Sequence, residues 1–199
     1  MTISRSDACR AADIVKAMNR RSVLQAIAAG FALAACGSTA QSGGTKTGGT
    51  TTATPTPGAK ATQATVELAK GGSFTFTLRP DKAPQTVERF AGKARSGFYD
   101  NLTFHRVEDW VVQGGDPKGT GTGGDRVPSE YNDLSFKLGA AGIARGQDPA
   151  FNNDSQFFIV KKDSTFLDKQ YTNFGQVTAG MDVVAGIKIG DKIKTIRIS

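Results

Sequence analysis

Phe104-His105-Arg106-Val107-Glu108-Asp109-Trp110-Val111-Val112-Gln113-Gly114-Gly115-Asp116 is the stretch from which the rest of the chain can be read. It has the character of strand interrupted by a turn at Glu108-Asp109. About forty residues later comes a second run, Ser155-Gln156-Phe157-Phe158-Ile159. Together the two runs supply one arginine, two glutamines and several aromatics, at spacings suited to a shallow apolar site with a few fixed donors. The only histidine of the chain, His105, adjoins that arginine. No cysteine, metal-ligand cluster or phosphate loop competes with this region for chemistry. An enzyme working here must build its catalysis from hydrogen bonds and desolvation.

Working outward, the folded part is expected to begin near Thr65 and run to residue 199. Val66, Leu68, Phe74, Phe76 and Leu78 alternate with polar residues on either side of Gly71-Gly72, a β-hairpin pattern. Pro84 opens a helical stretch with Val87, Phe90, Ala91 and Ala94 on one face, and Gly97 ends it. Glycine-rich turns fill 119–124. Phe157 to Val160 is a short continuous apolar strand, Met181 to Ile187 a second short helix, and Lys192 to Ile198 alternates again. Many short strands, two short helices, abundant glycine and no internal repeat predict a mainly β, closed or nearly closed antiparallel barrel.

The N-terminal part has a different character. Met18-Asn19-Arg20-Arg21 precedes an apolar run from Val23 to Ala35 and then Cys36. That is the layout of a signal peptide over 18–35, with an apolar run well short of the roughly 20 residues a membrane span needs. Leu33-Ala34-Ala35-Cys36 resembles a bacterial lipobox, so cleavage before Cys36 and lipidation of that cysteine are expected. Export signals begin with their basic region, so translation is expected to start at Met18, leaving 1–17 as a doubtful extension. Arg20-Arg21 also suits a twin-arginine signal, and the two export routes stay open. Residues 36–64 form a Gly/Ser/Thr/Pro-rich linker that cannot bury enough apolar surface to order itself. As a flexible tether it reaches about 30 Å. The expected location is the cell envelope, lipid-anchored to a membrane with the domain outside the cytoplasm.

Cys9 and Cys36 are the two cysteines, so the folded part is expected to stand without a disulfide. The chain carries 25 basic and 18 acidic residues. Without residues 1–35 the charge is near +4, from 20 basic and 16 acidic residues. That mild excess, with no basic run interleaved with aromatics, argues against nucleic acid as a partner.

The ordered set Phe104-His105-Arg106, Gln113-Gly114-Gly115-Asp116, Gly119-Thr120-Gly121, Ser155-Gln156-Phe157-Phe158-Ile159, Leu167-Asp168 and Phe174-Gly175 resembles the cyclophilin family of peptidyl-prolyl isomerases. The Pro84 to Tyr99 stretch fits the same pattern, and the resemblance covers essentially all of 65–199. It implies an eight-stranded antiparallel β-barrel capped by two helices, with the substrate in a groove on the outside. It also implies a proline-containing polypeptide as partner, a monomer, and neither cofactor nor metal.

By that resemblance Arg106 is the catalytic arginine and Gln113 holds the substrate backbone. Phe158 is the floor of a proline pocket, with Trp110 and Leu167 as walls. Val111 stands where methionine is usual. Ala144 and Arg145 match the strand segment that binds substrate backbone, where alanine and asparagine are common, and Gln156 matches a substrate-side position that orients Arg106 or the peptide. Isomerisation needs no proton transfer, so His105 is read as scaffold, on the strand face opposite Arg106.

The departures are specific. The segment from Arg106 to Gln113 is one residue shorter than usual, with Glu108-Asp109 in place of a proline-glycine turn, and the 146–154 loop is about two residues longer. Phe166 stands where many eukaryotic members have tryptophan and Tyr171 where they have histidine; the first change predicts weaker cyclosporin binding. Two further readings stay open: a binding or chaperone module with little turnover, and a purely structural envelope protein.

Overall fold

A computed structural model describes residues 61–199. The expected extension over 1–17, the expected signal peptide, Cys36 and all but the last residues of the expected linker lie outside the described residues. The elements are β1 (Gln63–Leu68), β2 (Ser73–Leu78), α1 (Pro84–Arg95), β3 (Phe104–Val107), β4 (Val111–Gly114), β5 (Arg126–Pro128), β6 (Ala140–Arg145), β7 (Phe151–Val160), β8 (Asn173–Ala179), α2 (Met181–Ala185) and β9 (Ile193–Ile198), with a 3-10 turn over Thr165–Leu167 between β7 and β8. β1 starts two residues before the expected edge of the folded part, and β7 takes in the second half of the expected 146–154 loop.

All strand pairs are antiparallel, in the order β3-β4-β7-β6-β8-β2-β1-β9, with β5 beside β7 off that path. The expected closed barrel is not what forms. The sheet is a curled, open half-barrel of eight strands on one path, whose ends meet only at the single bridge Thr103 to Lys192 and the four backbone bonds around it: Asn101 N–H to Ile193 O (2.8 Å), and Ile193 N–H to Leu102 O, Phe104 N–H to Asp191 O and Gly190 N–H to Phe104 O (2.9 Å each). The reason lies in β3. It has four residues and carries a bulge between Phe104 and Arg106, which bends it away from β9 before a full ladder can form.

The sheet separates two apolar layers. On the concave side Phe74, Phe76, Phe104, Phe157 and Phe174 pack with Phe90 and Tyr99 from α1 and its C-terminal loop. Phe90 is the hub, within 5.2–5.7 Å of the rings of Tyr99, Phe174, Phe157 and Phe76. On the convex side Val111, Phe136, Ala140, Ala144, Phe158, Val160 and Leu167 form a second cluster, flanked by Trp110 and Tyr171. Strand alternation supplies both layers: Phe157 and Ile159 face inward, Phe158 and Val160 outward. This explains why 157–160 is continuously apolar: both faces of β7 are covered.

Candidate active site

The convex cluster is the base of a cavity of about 410 Å³. Its floor is Phe158, 4% exposed, stacked on Phe136 at 5.6 Å and meeting Tyr171 edge-on at 5.8 Å. The floor sits this deep because residue 142 on the neighbouring strand is glycine. A Cβ there would lie 2.2 Å from Phe158 Cζ and 2.7 Å from Phe136 Cε1. Leu167, presented by the 3-10 turn, and Val111, from β4, complete the apolar base. That turn is anchored by Asp168, whose carboxylate accepts from the Phe136 N–H (2.8 Å) and Ser135 hydroxyl (2.7 Å).

One wall is Trp110, with Phe166 packed edge-on against it at 5.3 Å. Phe166 is 61% exposed and forms the outer rim, not the lining. The opposite wall is Ala144, Arg145 and Tyr171. The Arg145 guanidinium lies 4.7 Å from the Tyr171 ring centroid and donates to Gln170 O and Gly146 O, so it braces that wall.

Arg106 and Gln113 face each other across the β3–β4 ladder at the cavity edge. A chain of hydrogen bonds fixes them. Gln156 donates from Nε2 to Gly123 O (2.8 Å), which turns its Oε1 toward the Gln113 Nε2 donor (3.0 Å). Gln113 Oε1 is thereby left as acceptor for Arg106 Nη1 (3.4 Å). A carbonyl at one end and a guanidinium at the other leave one consistent orientation for both amides. Gln156 is buried and acts on Gln113, not directly on Arg106. At its other edge Arg106 donates from Nε to Glu108 Oε1 (2.7 Å), and Trp110 Nε1–H donates to Glu108 Oε2 (2.8 Å). The shortened turn therefore keeps Trp110 in the wall.

His105 departs from expectation. Strict alternation would turn it away from Arg106, but the bulge sets both residues against one partner, and both line the cavity. Both ring nitrogens are buried without a hydrogen-bond partner among the described residues. Burial pushes the imidazole pKa down; Asp116 opposes this and Arg106 adds to it. Below His105, Asp116 accepts from the N–H groups of Lys118 and Thr120 at 2.9 and 2.8 Å, and from that of Gly121. Burial alone would push the Asp116 carboxyl up, but those donors outweigh it and hold it below the usual carboxylate range. Gly115 lets the chain enter this loop: its φ is +82°, and a Cβ would meet Ser155 O at 2.5 Å.

A second depression of about 420 Å³ continues the groove past Gln113, Gly121, Ala144 and Arg145. It is lined by 122–126, 146–148 and 151–153. Neither this depression nor the membership of Glu108 and Thr120 in the site is marked by a motif; the glycine-rich 119–124 turns are the available signal.

An apolar cavity outside the sheet, edged by a fixed guanidinium and amide, on a curled antiparallel half-barrel with two helices, defines a class. The chain belongs to the cyclophilin type peptidyl-prolyl cis-trans isomerase/CLD family, whose model matches residues 63–199. Peptidyl-prolyl cis-trans isomerase B of Bacillus subtilis is 41% identical over 137 residues, which cover 66% of this chain and 94% of that protein. A peptidyl-prolyl cis-trans isomerase of Arabidopsis thaliana is 39% identical over 135 residues, and there the chain spans only 20% of its relative. Among solved structures, a cyclophilin type isomerase of Cryptosporidium parvum, 26% identical, superposes with a TM-score of 0.64, covering 70% of this chain and 98% of that one. The same protein, solved in the presence of the dipeptide Ala-Pro, gives 0.63, covering 69% and 98%.

Proposed function

We infer that the chain accelerates cis-trans rotation about X-Pro bonds in polypeptides, with Arg106 as the catalytic residue. The observation that carries this is a guanidinium held on two edges beside an apolar cavity floored by Phe158. Rotation of an X-Pro amide is slow because its resonance must be broken, and it changes no covalent bond. In the twisted transition state the prolyl nitrogen regains its lone pair. A donor aimed at that nitrogen binds the twisted amide better than the planar one, and that difference lowers the barrier. Arg106 suits this, being always charged and planar. Among the described residues its Nη2 has no acceptor, which leaves that edge for substrate.

The prolyl ring sits on the base formed by Phe158, Leu167 and Val111, with Trp110 as one wall; Leu167, expected as a wall, belongs to that base. Gln113 and the β6 segment Ala144-Arg145 hold the flanking backbone, Gln156 sets the Gln113 amide, and Tyr171 and Phe166 complete the wall and rim. Excluding water from the amide removes competing hydrogen bonds that would favour its planar, polar form.

The purified chain, assayed by protease-coupled turnover of a short X-Pro peptide, should exceed the uncatalysed rate, and Arg106→Ala should lower kcat/KM by about 10²–10³ with the fold intact. A rate equal to the uncatalysed one would refute the reading. The substrates we propose are exported proteins, isomerised by a monomer tethered at the cell envelope through a lipid on Cys36. The n-region, apolar run and Leu33-Ala34-Ala35-Cys36 support that, and so does the linker that follows. Mass spectrometry of the mature N-terminus should find lipidated Cys36; an unmodified product starting elsewhere would refute it.

A further inference from the structure

We propose that Glu108 is a positioning residue that locks Arg106 and Trp110 into one unit for X-Pro isomerisation. Glu108 occupies the shortened turn between β3 and β4, where its N–H still donates to Val111 O at 2.8 Å. Positions 106 and 108 are two apart on an extended chain, so their side chains share a face. Trp110 follows across the turn. The carboxylate has two oxygens and uses each on a different donor: Oε1 on Arg106 Nε–H at 2.7 Å, Oε2 on Trp110 Nε1–H at 2.8 Å. The guanidinium carbon then lies 5.4 Å from the centre of the Trp110 ring, within cation–π range.

The consequence is orientation. Arg106 is a long side chain, 44% exposed, which without partners samples many rotamers. Gln113 alone contacts it at 3.4 Å, a weak hold. The Glu108 bond is short and charge-assisted, and it supplies the second fixed edge. The same carboxylate sets the plane of the indole that walls the prolyl cavity. Its bond to Arg106 holds the Glu108 carboxyl below the usual range, so it stays ionised at neutral pH. A proline-glycine turn, which the resemblance leads one to expect here, offers no acceptor side chain for either donor. The substitution at this turn is therefore an added clamp.

An exposed ion pair contributes little to stability, and Glu108 is 45% exposed, so its removal leaves the domain folded. This makes the test clean, and it rests on the isomerase reading. In the full chain, Glu108→Ala should lower kcat/KM by about 5–20-fold, mostly in kcat, since a modestly misplaced group costs rate more than binding. Glu108→Gln retains one acceptor and should lose less; Glu108→Asp, one methylene short of bridging both donors, should resemble the alanine variant. Trp110 is the only tryptophan in the chain, so intrinsic fluorescence reports the clamp directly, and its emission should move in all three variants. A kcat/KM for Glu108→Ala within twofold of the unmutated chain would overturn the proposal. So would a gain in turnover, which would make Glu108 a competitor of the substrate for Arg106. An unmutated chain without turnover would instead sink the isomerase reading itself.

Discussion

Gly142→Ala tests whether the depth of the prolyl cavity is set from the neighbouring strand. The added methyl would sit 2.2 Å from Phe158 Cζ and 2.7 Å from Phe136 Cε1, where ordinary contact begins at 3.4 Å. The Phe158 ring edge must therefore retreat by about 1.2 Å, and the free space open to it is the cavity it floors. Phe136 stacks on one side at 5.6 Å and Tyr171 closes the other at 5.8 Å. Overpacking of this kind costs about 1–3 kcal/mol. For a domain of this size that lowers Tm by roughly 3–10 °C. The ring that moves is the cavity floor on which the proposed function rests the proline, and a misplacement of about 1 Å can cost about 10² in rate. Differential scanning calorimetry and kcat/KM on an X-Pro peptide should both fall. Adding Phe158→Leu removes the clashing ring edge and should recover much of the lost Tm but none of the turnover, a coupling that separates packing from catalysis. A Gly142→Ala protein with unaltered kcat/KM would refute the assignment of Phe158 as floor.

Gln156→Glu replaces the donor that faces Gly123 O inside a buried site, setting acceptor against acceptor. It should cost about 1–3 kcal/mol in denaturant melts and lower kcat, because Gln113 loses its fixed orientation. His105 has a folded pKa below its ordinary value, so the unfolded chain binds the proton more readily. Stability should be full above the ordinary imidazole range and fall as pH drops through about 6.5 toward the folded value. That segment of the Tm–pH curve should flatten in His105→Gln. Phe166→Trp restores an indole donor at the exposed rim beside Trp110, and titration calorimetry should find tighter cyclosporin binding than in the unmutated chain.

The hairpin about Gly71-Gly72, the Pro84 helix and the outer strands were legible in the sequence because each carries its own period and its own stop signal. β6 was not. Ala140-Ala141-Gly142-Ile143-Ala144-Arg145 lacks the β-branched and aromatic residues that mark a strand. At Gly142 the small residue is there because rings press on it: Phe158 and Phe136 reach over that position from the convex side. That requirement is long-range and leaves no local pattern. The direction of His105 was hidden for a different reason, since a single bulge residue reverses alternation without altering composition. Closure was overestimated because it depends on whether β3 and β9 run together, which the bulge prevents. Motif order singles out Arg106, Gln113 and Phe158, and the structure brings all three to one cavity; in the sequence Glu108 stands out only as a departure from the family turn.

With Arg106 in the proposed role, its surroundings explain why a mechanism without a nucleophile still needs a built site. A guanidinium in water already has donors, and water competes for them. What the fold adds is direction, through a bonded chain from Gly123 O through Gln156 and Gln113 to Arg106, then to Glu108 and Trp110. One end begins on backbone, the other on the wall of the cavity, and the bonded donors and acceptors are matched along its length. The arginine is thus held in place before substrate arrives, so little reorganisation is left for the moment when the prolyl nitrogen turns pyramidal. The apolar floor and the polar edge are built from the same strands, β4 and β7, by alternation: Val111 and Phe158 face the cavity while Gln113 and Gln156 line its rim and its continuation. A shift in the register of that pair would therefore disrupt pocket and donor together, which ties catalysis to the integrity of the β4–β7 ladder.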